Sequence, residues 1–247
     1  MKKFVLFLSF FLLSLSFSAG QEKIPENEIS AEEADSSAEP KESFFSKIDP
    51  TLFFTLGPKL MLNTDDHTKS APSPIMYSLG IGGDFLLENN ILLQAHASFF
   101  TNYYLWDGEK AQPAEVENRT ATALSAMIDL TGGYTLKLGQ EEKHLLSLNA
   151  GLGFLARYAI LSGGVDEDSP NRDTGSKAGD DISDINSCFF SDLNFLYPEV
   201  ALSYSYVLSD LWKIGGEFRT YIPLGSLMNG NGADSMIFSL ALKISHK

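Results

Sequence analysis

The chain has 247 residues, 44% of them apolar, a formal charge of −14 and one cysteine. Its length holds one sizeable domain with extensions, and its acidic balance excludes a nucleic-acid binder, which needs clustered Lys and Arg. The single Cys188 excludes an internal disulfide, so an exported chain of this composition must hold together by other means.

The chain opens MKKFVLFLSFFLLSLSFSAG. Lys2 and Lys3 form a basic start, Phe4 to Phe17 an apolar stretch too short to span a membrane comfortably, and Ser18 and Gly20 suit a cleavage site. Residues 1–20 therefore read as a secretory signal peptide, with no cysteine nearby for lipid attachment. The acidic, Ser- and Ala-rich stretch that follows has almost no large apolar residues. It cannot bury enough surface to offset its ordering entropy, so residues 21–47 are expected to form a disordered tether ahead of a folded domain, 48–247.

From about residue 50 a period of two recurs eight times, over 51–63, 75–87, 91–103, 121–137, 145–160, 196–208, 211–222 and 235–245. The joins ENN (88–90), GQEEK (139–143) and SD (209–210) are tight, and those at 64–74, 104–120, 161–195 and 223–234 are long. No stretch shows the apolar spacing of a helix. Alternating short and long connections are what an up-and-down meander gives when one rim is trimmed and the other elaborated. An even strand number puts both termini on the short-turn rim. About ten residues at roughly 3.3 Å each, tilted about 45°, rise roughly 23 Å, close to the apolar band of an outer-membrane barrel.

The two faces of each strand differ. Tyr77, Leu79, Ile81, Phe85 and Leu87 alternate with Ser78, Gly80, Gly82 and Asp84, and Trp212, Ile214 and Phe218 alternate with Lys213, Gly215, Glu217 and Arg219. A soluble lipocalin-like barrel would turn the apolar face inward around a ligand; a membrane barrel turns it to lipid. The polar face discriminates between them. It carries Gly57, Gly80, Gly82, Gly133, Gly151, Gly153 and Gly215, which weaken a strand in water but suit a cramped interior. The expected fold is an all-β, eight-stranded, antiparallel up-and-down transmembrane barrel. Its expected lumen network is Asp84, Asp129, Glu199 and Glu217 with Lys59, Lys137, Arg157, Lys213, Arg219 and Lys243, nearly balanced in sign, as a buried ion-pair network needs. Tyr103, Tyr104 and Trp106 at one rim and Trp212 at the other suggest interfacial aromatic girdles. Pro58 and Pro198 interrupt strand patterns and are expected at bulges or strand ends.

Together the signal peptide, the eight alternating strands, the short turns on one rim and the Gly-lined charged interior resemble small bacterial outer-membrane barrels of the OmpA/OmpX and OmpW kind, over about residues 48–247. The resemblance implies an outer-membrane location with periplasmic termini, contact with outer-membrane lipids and insertion by the barrel-assembly machinery. The chain departs from the pattern at its end, FSLALKISHK, where many such barrels carry a terminal aromatic residue.

Chemistry has few footholds. His96 and Ser98 share a face, a pairing similar to that of outer-membrane lipid A deacylases, but they lie on the polar face and no supporting motif follows. The expectation is a hydrogen-bonded lumen pair. Asp166, Glu167, Asp168, Asp173, Asp180, Asp181 and Asp184 crowd one long loop without calcium-loop spacing, so a solvated acidic loop, available to an extracellular ligand, is expected. Asn118 begins a glycosylation sequon of the kind that arises by chance. No catalytic group, metal or cofactor is expected. The first reading is a non-enzymatic barrel with a structural or surface-interaction role. A narrow pore for small solutes or ions, a lipocalin-like carrier and a lipid hydrolase are the alternatives.

Overall fold

The structure, a computed structural model, describes residues 48–64, 74–87, 89–114, 119–171 and 174–247. The stretches read as signal peptide (1–20) and tether (21–47), together with Asn118 and Asp173, lie outside the described residues. Eight long strands follow the alternating segments: β1 (Ile48–Met61), β2 (Ile75–Leu87), β3 (Ile91–Trp106), β5 (Ala121–Leu138), β6 (His144–Leu161), β7 (Leu196–Val207), β8 (Trp212–Tyr221) and β9 (Ile237–His246), with a short β4 (Ala111–Pro113) on the loop end of β3. Every long strand pairs antiparallel with the next, and β9 returns to β1, so the sheet closes as an eight-stranded up-and-down barrel with β4 outside the ring. Closure pairs every long strand on both sides.

The apolar set points outward. Leu52, Phe54, Leu79, Leu130, Leu148, Leu152, Leu202 and Leu240 are all exposed, while Thr51, Thr55, Ser98, Asp129 and Ser203, on the alternate positions, are buried. A barrel with this arrangement is inside out with respect to water, and only lipid makes its exterior favourable. Aromatic side chains stand outward at both ends of the apolar band. Tyr77, Tyr103 and Tyr158 lie toward the long loops, and Tyr134, Tyr204 and Trp212 toward the short turns. Tyr104 is not part of this girdle. It is 1% exposed and points into the barrel, since it shares chain parity with Gln94, His96 and Phe100.

The interior glycines have two different causes. A Cβ on Gly57 would fall 2.0 Å from Leu240 O, and one on Gly215 1.8 Å from Tyr204 O, so the neighbouring strand's backbone forbids it. At Gly80 the nearest obstacles are the His96 and Thr55 side chains, and at Gly82 they are the Phe53 ring and, at 2.5 Å, the Ala95 carbonyl oxygen. Cramped space in the lumen therefore accounts for Gly80, close strand approach in a tightly coiled sheet for Gly57 and Gly215, and both together for Gly82.

Pro58 marks no bulge. The β1–β2 register runs through it unbroken, while the β1–β9 ladder skips from Leu56↔Leu242 to Lys59↔Ser239. Its missing N–H falls in that gap. Pro198 lies just beyond the end of the β7–β8 ladder.

One long loop holds a helix that the sequence reading did not anticipate. α1 (Ala178–Phe190) buries Ala178, Asp181, Ile185 and Phe189, one stripe at helical spacing, and carries Asp180 and Asp181 in its first turn, where the helix dipole favours them. A second, single-turn helix, α2 (Leu224–Met228), sits between β8 and β9.

Candidate functional site: the lumen and its loop-side mouth

The lumen is layered along the barrel axis. Its middle layer is charged. Arg219 is 2% exposed and holds three carboxylates: Nε donates to Glu217 Oε1 at 2.6 Å, Nη1 to Glu199 Oε1 at 3.2 Å, and Nη1 lies 3.6 Å from Asp129 Oδ2. Its Nη2 donates to Gln94 Oε1. Gln94 in turn donates to Asp84 Oδ1 at 2.6 Å, and Asp84 Oδ2 pairs with Lys243 Nζ at 2.8 Å. Lys243 also stands 3.6 Å from Glu217 Oε2 and 4.0 Å from the centre of the Phe53 ring. Lys59 Nζ lies among these groups without a hydrogen-bond partner, over the rings of Phe100 and Tyr221. Pairing of this kind is what makes buried charge tolerable.

Seven of the ten residues expected in the lumen network thus meet in that layer or beside it: Lys59, Asp84, Asp129, Glu199, Glu217, Arg219 and Lys243. Three stand elsewhere. Lys137 is exposed at the short-turn rim and pairs with Glu142 at 3.3 Å. Lys213 is half-buried near the same rim. Arg157 lies at the loop end, separate from the network.

His96 and Ser98 do not form a pair. His96 Nδ1 faces Asp129 Oδ2 at 2.8 Å and Nε2 faces Thr55 Oγ1 at 3.0 Å, while Ser98 Oγ has no partner. A neutral imidazole that donates from Nδ1 accepts from the Thr55 hydroxyl at Nε2. The Asp129 carboxylate also accepts from Tyr221 OH at 3.1 Å. The order carboxylate, imidazole, hydroxyl has the form of a nucleophile relay, but all three groups are at least 95% buried, so no acyl chain in the bilayer reaches the hydroxyl.

Above the charged layer lies an apolar ring. Met61, Met76, Phe100, Met127, Leu155, Tyr197, Tyr221 and Ile237 form one cluster, and each of the eight barrel strands contributes one of them. Each sits one inward position nearer the long loops than a polar or glycine residue of the layer below: Met61 over Lys59, Met127 over Asp129, Tyr197 over Glu199, Tyr221 over Arg219. All are buried, and they pack together across the lumen.

Above the ring, α1 lies across the loop-side mouth. Ile185 and Phe189 pack with Tyr104, Ala121, Ala123 and Ala159, and the Tyr104 and Phe189 rings meet edge to face at 4.8 Å. Asn186 fastens the helix to β6 by accepting from Ala159 N at 2.9 Å and donating to Ala159 O at 3.0 Å. Asp181, expected in a solvated acidic loop, is fully buried and accepts from Asn171 Nδ2 and Ser176 Oγ, each at 2.5 Å. Arg157 projects into this region. Its guanidinium stands 4.2 Å from the centre of the Phe189 ring and donates to Tyr104 OH at 3.2 Å and Asn194 O at 2.8 Å.

Beside α1 opens a cavity of about 370 Å³, with Trp106, Arg157, Cys188, Asp192, Tyr197 and Asp234 in its wall. Sequence reading missed it. It forms where three separate loop segments converge over the ends of β6 and β7, and no local motif marks it.

No family model matches the sequence, and neither does any curated protein. Among solved structures the chain is similar to Neisserial surface protein A, at 11% identity and a TM-score of 0.49, over 80% of this chain and 96% of that one. It is similar to the attachment invasion locus protein Ail of Yersinia pestis, solved with the heparin analogue sucrose octasulfate, at 8% identity and a TM-score of 0.40, over 80% and 97%. It is similar also to outer membrane protein AlkL, solved in lipid bilayers, at 11% identity and a TM-score of 0.41, over 86% and 96%.

Proposed function

We propose that this chain is an outer-membrane β-barrel protein with a non-enzymatic role, a closed pedestal that holds its loops and α1 at the cell surface. It sits in the outer membrane with its termini and short turns toward the periplasm. Its exterior meets outer-membrane lipid, and its insertion falls to the barrel-assembly machinery. The observation that carries this reading is the combination of an apolar exterior with an interior filled by packed side chains, the eight-residue ring among them.

The ring also weighs against a pore. A hydrophobic constriction excludes water and ions even without a plug above it, and here α1 adds a second closure. The soluble-carrier alternative needs an apolar interior, whereas the interior beneath the ring is charged and packed. A lipid hydrolase needs a nucleophile within reach of lipid, and Thr55 and Ser98 are both sealed inside. The charge network fixes the packing of the lumen and performs no chemistry.

The test is fractionation. Washed envelopes run unboiled and boiled on a denaturing gel should show the protein in the envelope, with two mobilities that interconvert on heating. Recovery in the aqueous periplasmic fraction with a single mobility would overturn the proposal.

A further inference from the structure

The loop-side cavity is built around a cation in need of a partner. Arg157 is 93% buried, being 7% exposed, yet it forms no ion pair among the described residues. Its acceptors among the described residues are neutral, the Tyr104 hydroxyl and the Asn194 carbonyl, and its Nε has no partner among them. A guanidinium withdrawn from water without a carboxylate is costly, and an incoming oxyanion offsets that cost directly. Tyr197 and Phe189 wall the cavity beside it, so an anion placed there is shielded from water.

The rest of the lining has the opposite character. Asp184 and Asp192 line the cavity, are exposed, and form no ion pair among the described residues. Asp234, also in the wall, accepts from Thr64 N at 2.9 Å and stands 4.0 Å from Lys110 Nζ. The free carboxylates repel a ligand that is anionic throughout and attract a cationic end. The volume, about 370 Å³, is at the small end of ligand pockets.

From these features we infer that the mouth cavity binds a small zwitterion of the amino-acid or dipeptide class. The ligand's carboxylate bonds to Arg157 at the base, and its ammonium faces Asp184 and Asp192 at the rim. Carboxylate-only and ammonium-only analogues each lose one end of this recognition.

The chain supplies its own reporter. Cys188 is its single cysteine, it is half-buried and it lines the cavity, so an occupant shields its thiol. The experiment follows alkylation of Cys188 by iodoacetamide in the full chain, folded in detergent micelles. The probes are L-alanyl-L-alanine, N-acetyl-L-alanine and L-alaninamide. At about 10 mM the dipeptide should slow alkylation about tenfold, and each half-analogue should slow it less than about twofold. In Arg157→Gln, with folding checked by heat-dependent gel mobility, protection by the dipeptide should vanish. Because that change is buried, the exposed double variant Asp184→Asn/Asp192→Asn gives an independent reading: it should respond to the dipeptide no better than to N-acetyl-L-alanine. The inference is overturned if the dipeptide leaves a reactive Cys188 unprotected, if N-acetyl-L-alanine protects the native chain as well as the dipeptide, or if the double variant retains full protection.

Discussion

Arg219 Nε meets Glu217 Oε1 at 2.6 Å, an ion pair between two inward residues of one strand. Successive inward positions on β8 thus carry opposite charges, and the arginine extends from there to Glu199 on β7 and Asp129 on β5. Three carboxylates share this guanidinium, and Lys243 adds a second cation near Glu217.

Replacing Arg219 by Met should therefore destabilise the barrel strongly. It leaves buried carboxylates uncompensated, at a cost of about 3–5 kcal/mol. Urea unfolding in phospholipid vesicles measures this. Lys137→Met, which removes an exposed pair at the turn rim, should change stability by less than about 1 kcal/mol in the same assay.

The outward face supplies a second prediction. Leu130 lies in the middle of β5 and is 66% exposed. Leu130→Lys should cost about 2–4 kcal/mol in a bilayer, while Leu138→Lys at the strand's rim end should cost about 1 kcal/mol or less. Equal, near-zero costs at both positions would mean that the exterior faces water.

Conductance tests the closure of the lumen. The purified protein should be silent in planar bilayers. Deleting α1 should leave it silent, because the apolar ring remains. Removing α1 and also changing Phe100, Met127 and Leu155 to Ser should still give no steady conductance, because the charged layer beneath is itself packed. A chain that conducts after the helix deletion alone would show that the ring is not the barrier.

Two glycines make a paired test. Gly215→Ala puts a Cβ against the Tyr204 carbonyl and should abolish folding, read as loss of the heat-modifiable band. Gly216, the next residue, has only Ala241 O at 3.7 Å from such a Cβ, so Gly216→Ala should fold with stability within about 0.5 kcal/mol of the native chain.

The strands and their faces were legible because a period of two is local: each residue's parity declares its side. Parity also held the true position of Tyr104, which reads inward from Gln94, His96 and Phe100, but its place near a strand end suggested a girdle. The depth of each charge was less legible. Lys137 and Lys213 have inward parity yet stand near the short-turn rim, and Arg157 stands beyond the ring, because axial position follows from the stagger between strands. His96 turned to Asp129 for the same reason, since β3 and β5 place those two residues directly opposite. The helix α1 escaped because Ile182, Ile185 and Phe189 sit in a stretch so acidic that its apolar stripe is thin. Contacts with β3 and β6, invisible locally, complete it.

The ring of eight apolar side chains has a consequence for how such a protein can diversify. It separates the charge network from the mouth in space: the residues that line the mouth cavity stand a layer of packed side chains away from Arg219 and its carboxylates. Selection can therefore rewrite what the mouth recognises without retuning the ion pairs that hold the barrel. A chimera that carries foreign loops above the ring should inherit the parent's folding and the donor's binding.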